Sequence, residues 1–598
     1  MTDPAGHGER AVAAPAAPLA PGPAKVEGND WKSLDTTPLE GFKPRLSATV
    51  VVPYYQAPDE LALTLAGLER QSYPRDLFEV IVVDDGSDPP LEMSEPSPLD
   101  VRVIHQPDLG FGLARARNNG ARAAQGDIVV FLDCDMIPAS EWLAAHARWH
   151  HAASDAMSIG FRRHLDVTGV SADDVRNCGT LDEMFADRPF QRPEWIESHM
   201  ARTAELTSED DDLFRVASGG NLGMSRHFYW EVGGNDESFT QWGAEDVEFG
   251  YRAFTLGALL VPERRALCWH QGEGATPSPA EARSLEQQRA KLSQLIAHHG
   301  FRRATPGRSF TVPQYVVSVA TDGTGINALL DTVEGLLEGD VHDLVVWIEQ
   351  RQPAGEEEVH EAETVRRLLG GDPRVRFGPR GGAPSGFAAS QFHIFVQAGT
   401  PVATDLVSGL RKQLGSAECA ATSPRDGSVV VLVRARRLHR ELRRGLDGES
   451  ITAATLVPRL LRHQAASIPT GEQSLPDDVQ AASGVPFAPD GASTNPADAP
   501  QEVSESDEPD PSRRRHPRDT KSRPATTPAV AQESARGANE GRLPRLRKLG
   551  GIAAHTATEA RSVRNPGDAA RLARTVGAWI IRAAGWRLRW IAFRLRRV

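Results

Sequence analysis

Ile128-Val-Val-Phe-Leu-Asp-Cys-Asp-Met136 is the stretch that decides the fold. Its apolar half is typical of a strand buried in a parallel sheet, and its carboxylates, Asp133 and Asp135, follow where an open α/β sheet binds ligands. Alternation along an extended chain predicts that both side chains point to the same side. Because adjacent carboxylates repel, the pair needs a cation, a shared proton or open water, and a hard divalent ion, Mn²⁺ or Mg²⁺, shared with a diphosphate fits best. The alternative is a solvated strand end followed by a turn.

Strand-like and helix-like patterns alternate on the amino-terminal side of this stretch. Ser47–Pro53 and Phe78–Val83 are β-rich runs, and the second run ends in Asp84-Asp85. This alternation predicts an α/β fold with a parallel, nucleotide-binding sheet. The remaining predicted elements are a helix over residues 59–71, a strand at Val101–Ile104 and a helix that opens at Gly110-Phe-Gly112 and carries Arg115, Arg117, Asn118 and Asn119.

The size and the cysteine content limit the class of protein. With 598 residues, the chain is too long for one ordinary domain. Its four cysteines are far apart and form no CxxC pair, which argues against structural zinc or a disulfide framework and suits a reducing compartment. The first residues lack a signal-peptide pattern, and no uncharged apolar run predicts a spanning helix. We therefore expect a cytoplasmic protein.

The motifs in the first half resemble those of the family-2 glycosyltransferases of GT-A fold. The resemblance begins with the run VVPYYQ…VDDGSD at residues 51–88, continues through the Arg-Asn helix and FLDCDM, and includes Ala217-Ser-Gly-Gly-Asn221 and Trp242-Gly-Ala-Glu-Asp-Val-Glu-Phe249. It covers roughly residues 47–275. The motifs look most like those of the transferase domains of bacterial chondroitin and hyaluronan-type polymerases. They also resemble the carboxyl-terminal motif of galactosyltransferases.

The resemblance implies a donor site for a UDP-sugar. Tyr55, Asp84 and Asp85 match positions that hold the uracil and the ribose, and a strand-end carboxylate can accept from the base imide N–H. One of the two arginines in the Arg-Asn helix would face the diphosphate, and two glycines would let backbone approach the donor sugar. The implied donor-binding residues are Pro53, Tyr55, Asp84, Asp85, Arg115, Arg117, Asp133, Cys134, Gly219 and Gly220.

A metal site is implied by the same resemblance. Asp135 would ligate the ion, Asp133 would contact ribose or metal, and His270 matches a later metal ligand of the family. Carboxylate and imidazole together form a ligand set that Mn²⁺ tolerates. Outside this family context, a lone histidine after an apolar stretch is usually structural.

The acid pair Glu245 and Asp246 is the predicted centre of the chemistry. An inverting transfer needs a carboxylate that takes the proton of the attacking hydroxyl, and Asp246 matches that base. Glu245 would orient hydroxyl groups, and Trp242 offers a flat face on which an acceptor sugar could stack. The alternative for two acids at a helix start is a favourable interaction with the helix dipole.

Between the two halves of the motif set, residues 150–216 form an acidic, irregular segment that includes Glu209-Asp-Asp-Asp212. We expect either a mobile segment over the site or a solvated surface loop.

An internal repeat without acids is predicted for residues 312 to about 440. Tyr315–Ala320, Leu344–Glu349 and His393–Pro401 echo the first, second and central strands, with Gln397 and Gly399 near the places of the two central carboxylates. These patterns predict a second, degenerate GT-A-like domain that cannot bind metal and either holds acceptor or braces the first domain. The alternative is an unrelated α/β domain.

The carboxyl-terminal tail is strongly basic. Residues 541–598 carry fourteen Lys or Arg and two acids, a net charge of +12 in a chain whose total is −13. An apolar face with three tryptophans predicts a helix lying in an anionic membrane surface. A nucleic-acid partner, which we do not expect, and a helix docked on the protein's own acidic body are the rivals. The apolar face consists of Leu572, Val576, Trp579, Ala583, Trp586, Trp590 and Phe593.

The resemblance implies a glycosyltransferase, and the basic tail places it on the inner membrane face. We expect an inverting, metal-dependent transfer from a UDP-sugar to a hydroxyl of a saccharide, lipid or other acceptor, with Mn²⁺ or Mg²⁺ as cofactor. The alternative is a non-catalytic sugar-nucleotide-binding or scaffold protein. A sugar nucleotidyltransferase is disfavoured, because no Gly-rich loop with a lysine follows the first strand. The predicted parts are a disordered segment 1–45, a catalytic domain 46–305, a degenerate domain 312–465, a linker 466–540 and a tail 541–598.

Overall fold

The computed structural model describes residues 21–93, 97–272, 279–321, 324–350, 356–423 and 428–445. The predictions for residues 1–20, for the linker 466–540 and for the tail 541–598 fall outside these described residues. None of the helices in the described ranges combines the length and the apolar character that crossing a membrane requires.

The first half is built on a nine-stranded mixed sheet. Its strands are β1 (Ala48–Tyr54), β2 (Phe78–Asp84), β3 (Val101–His105), β4 (Ile128–Leu132), β5 (Met136–Pro138), β6 (Ala156–Leu165), β7 (Phe190–Gln191), β8 (Asn221–Ser225) and β9 (Leu259–Gln271). Its helices are α1 (Pro58–Glu69), α2 (Leu113–Ala123), α3 (Trp142–His150), α4 (Ala172–Asn177), α5 (Leu181–Met184), α6 (Glu194–Arg202), α7 (Arg226–Glu231), α8 (Glu245–Thr255) and α9 (Pro279–Leu295). Short 3₁₀ turns lie at Trp31–Ser33, Leu39–Gly41, Arg75–Leu77 and Leu213–Val216.

The sheet confirms the predicted α/β class. Its strand order is β3-β2-β1-β4-β8-β6-β9-β5, with β7 paired to β6. The first four strands are parallel to one another, whereas β8 pairs antiparallel with β4 and β6. The carboxyl ends of β1, β2 and β4 therefore meet at one edge, where the predicted donor residues follow them.

Alternation along the buried strands supplies two cores, one on each face of the sheet. Val50 of β1 packs in the core that includes the predicted helix residues Leu61 and Leu65 of α1. Val51 packs in the opposite core with Ala116 of α2. Each fully buried leucine contributes about 2 kcal/mol, so the continuous apolar runs in β1, β2 and β4 are explained by helices on both faces.

Residues 21–45 differ from the prediction of a disordered segment. Asn29 is buried, and its side-chain amide donates to the carbonyl oxygens of Leu206 (2.9 Å) and Leu260 (2.8 Å) while its Oδ1 accepts from the Leu260 N–H. Ala24 and Val26 pack against Trp149. This ordered segment, which we call the strap at Asn29, was not predicted because its anchor is a polar side chain that satisfies backbone groups, whereas the segment contains few large apolar residues.

The acidic segment 150–216 is neither mobile nor a surface loop along most of its length. It contributes β6, which pairs with β8 and β9 inside the sheet, and the helices α4 to α6. Three acids of its four-acid run are held by ion pairs: Arg202 pairs with Asp210 and Asp212, and Asp211 pairs with two arginines of the second half. Strand β6 was missed because its second half carries the polar run Arg162-Arg-His164 and its partners β8 and β9 are distant in the chain.

The strand β4 ends at Leu132, and the chain turns over residues 133–135 before β5 begins at Met136. The backbone N–H of Met136 donates to the carbonyl of Asp133. The expectation that alternation in an extended chain sends both carboxylates to one side therefore rests on a strand that is not there. The two carboxylates instead have different partners, as their surroundings below show.

The second half is built on a separate six-stranded sheet, in the order β12-β11-β10-β13-β15-β14. The first four strands are parallel and β15 is antiparallel to β13, which repeats the order β3-β2-β1-β4-β8. Its identity as a degenerate glycosyltransferase domain stays a prediction. The strands are β10 (Tyr315–Ala320), β11 (Leu344–Gln350), β12 (Val375–Pro379), β13 (Phe392–Gln397), β14 (Cys419–Thr422) and β15 (Val430–Arg434), and the helices are α10 (Ile326–Leu337), α11 (Glu356–Leu369), α12 (Gly382–Gly386), α13 (Leu406–Leu414) and α14 (Ala435–Arg443).

Candidate active site

Asp84 closes the end of β2 and organises the loop that follows. It is buried, accepts from the backbone N–H groups of Ser87 and Leu91 at 2.9 Å each, and lies 3.1 Å from the His105 ring. Burial raises the pKa of Asp84, but these hydrogen bonds outweigh burial and the net pKa is lowered. Asp84 is thus an ionised anchor for the loop, and its predicted contact with the donor base stays a prediction.

Asp85 ties this loop to the start of α2. Its carboxylate accepts from Gln106 Nε2 at 2.6 Å and from the Gly112 N–H at 2.7 Å, and it pairs with Arg115 at 3.1 Å. A Cβ at Gly112 would lie 2.3 Å from Asp85 Oδ1, so a side chain there would displace the carboxylate. Of the two predicted arginines, Arg115 therefore pairs with Asp85 and stabilises this loop.

Arg117 joins three of the predicted motifs. It is buried; one guanidinium nitrogen donates to Asp133 Oδ1 at 3.0 Å and the other donates to Glu245 Oε1 at 3.1 Å. Burial lowers the pKa of Arg117, but the charges of Asp133, Glu245 and Asp246 raise it by more, so the guanidinium stays charged. Carboxylates from the ends of two distant elements thus meet on one cation.

Gly219 and Gly220 leave the space that this arrangement needs. A Cβ at Gly219 would lie 2.4 Å from Arg117 Nη1, and a Cβ at Gly220 would lie 1.9 Å from Asp133 Oδ2. The Asp133 N–H donates to the Gly220 carbonyl at 3.1 Å, which fixes the turn after β4 against the start of β8. The glycines are therefore required by close approach to the site's own side chains.

Asp135 faces His270. Its Oδ2 lies 3.3 Å from His270 Nε2, because β5 and β9 pair with Met136 opposite His270. Burial raises the pKa of Asp135, and the neighbouring His270 opposes this rise. The other heteroatoms, Asp135 Oδ1 and His270 Nδ1, are buried and have no hydrogen-bond partner among the described residues.

His164 lies beside His270 and was not predicted. Strand pairing places the two histidines opposite each other, and their ring centroids are 4.2 Å apart. Burial, followed by the effect of His270, lowers the pKa of His164 to about 4, so its imidazole is neutral at pH 7. The polar run Arg162-Arg-His164, at the end of an otherwise apolar strand, is the sequence signal that could have revealed it.

The residues present fit a divalent ion that takes part of its coordination from a nucleotide. No cluster of three or more His, Cys, Asp and Glu side chains in the described part of the chain is arranged to hold a metal by itself. Asp135 and His270 nevertheless offer two ligand types side by side, with buried heteroatoms that lack partners. Mg²⁺ sites of this kind use few carboxylates and complete their shell with phosphate oxygens. Asp133, which pairs with Arg117, remains a predicted ligand only.

Glu245 and Asp246 form the first turn of α8. The chain enters this helix through Gly243 and Ala244, whose φ angles are 91° and 80°. Glu245 is buried, and burial together with the charge of Asp246 raises its pKa to about 7. Burial also raises the pKa of Asp246, which accepts from the Val247 N–H at 2.7 Å. A carboxyl with a raised pKa is suited to proton transfer near neutral pH.

Arg162 is a second residue that the sequence did not single out. It lies on β6 and donates to Ser218 Oγ at 2.8 Å. Its positive charge opposes the burial-driven rise in the pKa of both Asp135 and Asp246. The metal-side carboxylate and the predicted base therefore lie within the electrostatic reach of one guanidinium.

The other predicted residues lie at the rim or in the scaffold. Trp242 and Tyr55 are 46% and 48% exposed. Pro53 is buried in β1, and Cys134 is half-buried in the turn after β4, where its carbonyl accepts from Thr64 Oγ1 at 2.7 Å. Contacts of these four residues with donor or acceptor stay predictions.

The first half of the chain is similar to known proteins. The family model described as glycosyl transferase family 2 matches residues 49–233. The chain is 28% identical to the chondroitin synthase of Pasteurella multocida (strain Pm70) over 61% of this chain and 40% of that protein, and 28% identical to the hyaluronan synthase of Pasteurella multocida over 61% and 39%. It is 32% identical to the validoxylamine A glucosyltransferase of Streptomyces hygroscopicus subsp. jinggangensis (strain 5008) over 36% of this chain and 54% of that protein.

The chain spans about two fifths of the two synthases that it matches. The matched segment runs from Thr49 in β1 through β8, and includes Asp84, Asp85, Arg117, Asp133 and Asp135. These findings confirm the resemblance predicted from the motifs. Residues 49–233 therefore form a glycosyl transferase family 2 domain, similar to the domains of bacterial chondroitin and hyaluronan synthases.

Proposed function

We propose that the chain is an inverting, metal-dependent glycosyltransferase that transfers a sugar from a UDP-sugar to a hydroxyl group of a saccharide, lipid or other acceptor. The observation that carries the proposal is the position of Arg117 between Asp133 and Glu245. It joins the donor half of the site to the acid pair at the start of α8. A scaffold protein without catalytic activity would not need this contact between the donor half and the acid pair, so the intact contact favours an enzyme.

Donor binding is assigned to the edge formed by β1, β2 and β4. Asp85 and Arg115 fix the loop at the start of α2, and Tyr55 offers an exposed ring beside this edge. In the proposal, this edge takes the uracil and ribose, while Gly219 and Gly220 let the donor sugar approach the backbone. Arg117 then holds Asp133 and Glu245 in place beside the bound nucleotide.

Asp135 and His270 would hold the divalent ion, Mn²⁺ or Mg²⁺. When bound, such an ion neutralises charge on the departing diphosphate, so that no acid is needed on that side. The chain itself places the Asp135 carboxylate beside the His270 ring, and it keeps Asp135 Oδ1 and His270 Nδ1 buried away from water.

Asp246 is the proposed base. It takes the proton of the acceptor hydroxyl as the oxygen attacks the anomeric carbon, which inverts the configuration there. Glu245, fixed by Arg117, orients hydroxyl groups of donor or acceptor, and Trp242 at the rim stacks on the acceptor. The positive charge of Arg162 favours the ionised form of Asp246 that this role requires.

The relatives support a carbohydrate acceptor without fixing its size. Two of them are named as synthases of polysaccharides, and the third is named as a glucosyltransferase that acts on validoxylamine A. Both a growing saccharide and a small polyol fit an acceptor side formed by an exposed Trp242 and a carboxylate pair.

Release of free UDP across a set of UDP- and GDP-sugars, with Mn²⁺ and with saccharide acceptors, tests the function. We expect UDP release from one UDP-sugar, and a product with inverted anomeric configuration. Asp246→Asn should lower kcat by about 10²- to 10⁴-fold, because the proton has no acceptor, whereas Asp372→Asn, in the second half, serves as a matched control. Binding of a UDP-sugar without any turnover would favour the alternative, a non-catalytic sugar-nucleotide-binding protein.

We also propose that the tail 541–598 attaches the protein to an anionic membrane surface, which would place the enzyme at the inner face of the cell membrane. The charge of +12 in this segment and its apolar face support the proposal.

A further inference from the structure

The second half of the chain contacts the first half at two segments that also carry site residues. One segment runs from Asp211 to Gly220 and ends at the glycines beside Arg117 and Asp133. The other is the helix α8, which begins with Glu245 and Asp246.

The first segment is anchored by Asp211. Its carboxylate pairs with Arg434 and, at 2.8 Å, with Arg411. The Arg434 side chain is buried and also donates to the carbonyl oxygens of Ala417 and Gly415, at 2.9 and 2.8 Å. Both arginines belong to the second sheet and its helix α13, so the anchor for Asp211 is itself fixed within the second half.

The segment between Asp211 and the site glycines is tightly packed against α8. Phe214 is fully buried, and its ring centroid lies 5.2 Å from that of Tyr251 on α8. A Cβ at Gly250 would lie 2.4 Å from the Ala217 Cβ, so this part of the segment packs directly on α8. Movement at Asp211 is therefore transmitted through tightly packed residues to the backbone of Gly219.

The helix α8 is held at its middle and at its end. Tyr251 Oη donates to the Ala389 carbonyl at 2.6 Å, and the Arg436 guanidinium lies 5.0 Å from the Phe254 ring centroid. Just beyond the helix, the Gly257 carbonyl accepts from Arg440 Nε at 2.8 Å. All three contacts come from the second half, while the acid pair occupies the amino-terminal end of the same helix.

We propose that the second half is a positioning part of the active site: through Asp211 it sets the glycine backbone beside Asp133, and through Tyr251 it sets the acid pair. This inference rests on the proposed function for its catalytic consequences. Asp211 and Tyr251 are positioning residues, because they act through Gly219–Gly220 and through α8. The second sheet thereby has a role that needs no metal or nucleotide of its own.

The two contacts should have different kinetic signatures. Asp211→Asn loosens the backbone at the donor side and should raise the KM for the sugar nucleotide about tenfold, with kcat within about threefold of the wild type. Tyr251→Phe removes one hydroxyl without changing the ring, and should lower kcat about tenfold with a donor KM within about twofold, because small displacements of a base are costly.

Matched controls separate positioning from general stability. Glu79→Gln breaks the pair that the buried Glu79 forms with Arg102 near the start of β2, outside both segments. Tyr73→Phe removes a buried hydroxyl that donates to the Leu46 carbonyl, far from the second half in the chain. Both controls should lower the thermal midpoint as much as the test variants do, while kcat and the donor KM stay within about twofold of the wild type.

Hydrogen exchange measured by mass spectrometry provides a readout that does not need activity. Asp211→Asn should increase exchange at 217–220, and Tyr251→Phe at 245–249, by at least about threefold over both controls. Exchange and kinetics equal to the controls would overturn the inference. If the wild-type chain transfers no sugar at all, the proposed function fails by itself, and hydrogen exchange alone then decides for or against positioning.

Discussion

At the scale of single residues, the site depends on carboxyl groups that the fold removes from water. Glu245 is buried beside Asp246; Arg117 pairs directly with Glu245, and the charge of Arg162 also favours the ionised form of Asp246. Removing one partner of such a group leaves a buried charge uncompensated, at a cost of about 3–5 kcal/mol. Glu245, Asp246 and Arg117 therefore act as a unit.

The raised pKa of Glu245 predicts a pH dependence of stability. The pKa is about 7 in the folded protein against an ordinary value of 4.5, so the folded state binds this proton more tightly than the unfolded chain does. The resulting contribution to stability is complete below pH 4.5 and is lost as the pH rises through about 7.

In Glu245→Gln the contribution of this carboxyl group to the pH dependence of stability should disappear. The difference between wild type and variant in the free energy of unfolding should then change with pH by at most about 1.4 kcal/mol per unit. Urea denaturation at pH 5, 6, 7 and 8 measures it. Parallel pH profiles for the two proteins would contradict the assignment.

At the scale of elements, the close approach of β8 to the turn after β4 gives a second prediction. Gly220→Ala places a Cβ 1.9 Å from Asp133 Oδ2, and Asp133 cannot turn away without losing Arg117. We expect kcat/KM for the sugar nucleotide to fall at least about tenfold, and the free energy of unfolding to fall by about 1–3 kcal/mol.

Gly41→Ala is the control for this substitution, because its Cβ would meet nothing closer than 4.0 Å. Activity and urea denaturation of both variants check the prediction. A Gly220→Ala enzyme with wild-type kcat/KM would show that Asp133 needs no fixed position.

Elements with a continuous apolar run were predicted well from the sequence, and elements defined by partners were not. The strands β1, β2 and β4 and the helix α1 carry enough local pattern to identify them, within a residue or two of their ends. Strand β6 and the strap at Asn29 depend on pairing with distant segments, which no local pattern encodes. The same holds within the site: its acids were found as motifs, whereas His164 and Arg162 were missed because they come together only through sheet register.

The turn at 133–135 shows how a correct motif can carry a wrong geometry. The sequence predicted two carboxylates on one side of an extended strand, but β4 ends one residue before Asp133. As a result Asp133 turns to Arg117 and Asp135 turns to His270. Strand ends are poorly marked by composition, so the partner of each carboxylate could not be read from spacing alone.

At the scale of the whole molecule, the second sheet repeats the strand order of part of the first. Order and direction agree over five strands, yet Gln397 ends the strand that corresponds to β4. The sequence predicted this echo from its strand patterns. The sequence could not predict the hydrogen bonds that the second half forms with α8 and with Gly257 just beyond it, because these bonds join residues more than a hundred positions apart.

The basic tail provides the prediction at this scale, although it lies outside the described residues. Flotation with vesicles of anionic lipid should recover the full chain, and vesicles of zwitterionic lipid should recover little of it. A chain that ends at residue 540 should lose most of the binding to anionic vesicles, since each basic residue near such a surface contributes about 1 kcal/mol. Undiminished flotation of the shortened chain would rule out the membrane role of the tail.

The most direct measurement of the central claim is UDP release from a UDP-sugar with and without Mn²⁺, in wild type and in Asp135→Ala. Wild type should release UDP only with a divalent ion, and Asp135→Ala should lose at least about 99% of this rate while Mn²⁺ binding, followed by electron paramagnetic resonance in the presence of UDP, weakens at least tenfold. Metal-independent release, or an Asp135→Ala protein with wild-type turnover and Mn²⁺ affinity, would contradict the account.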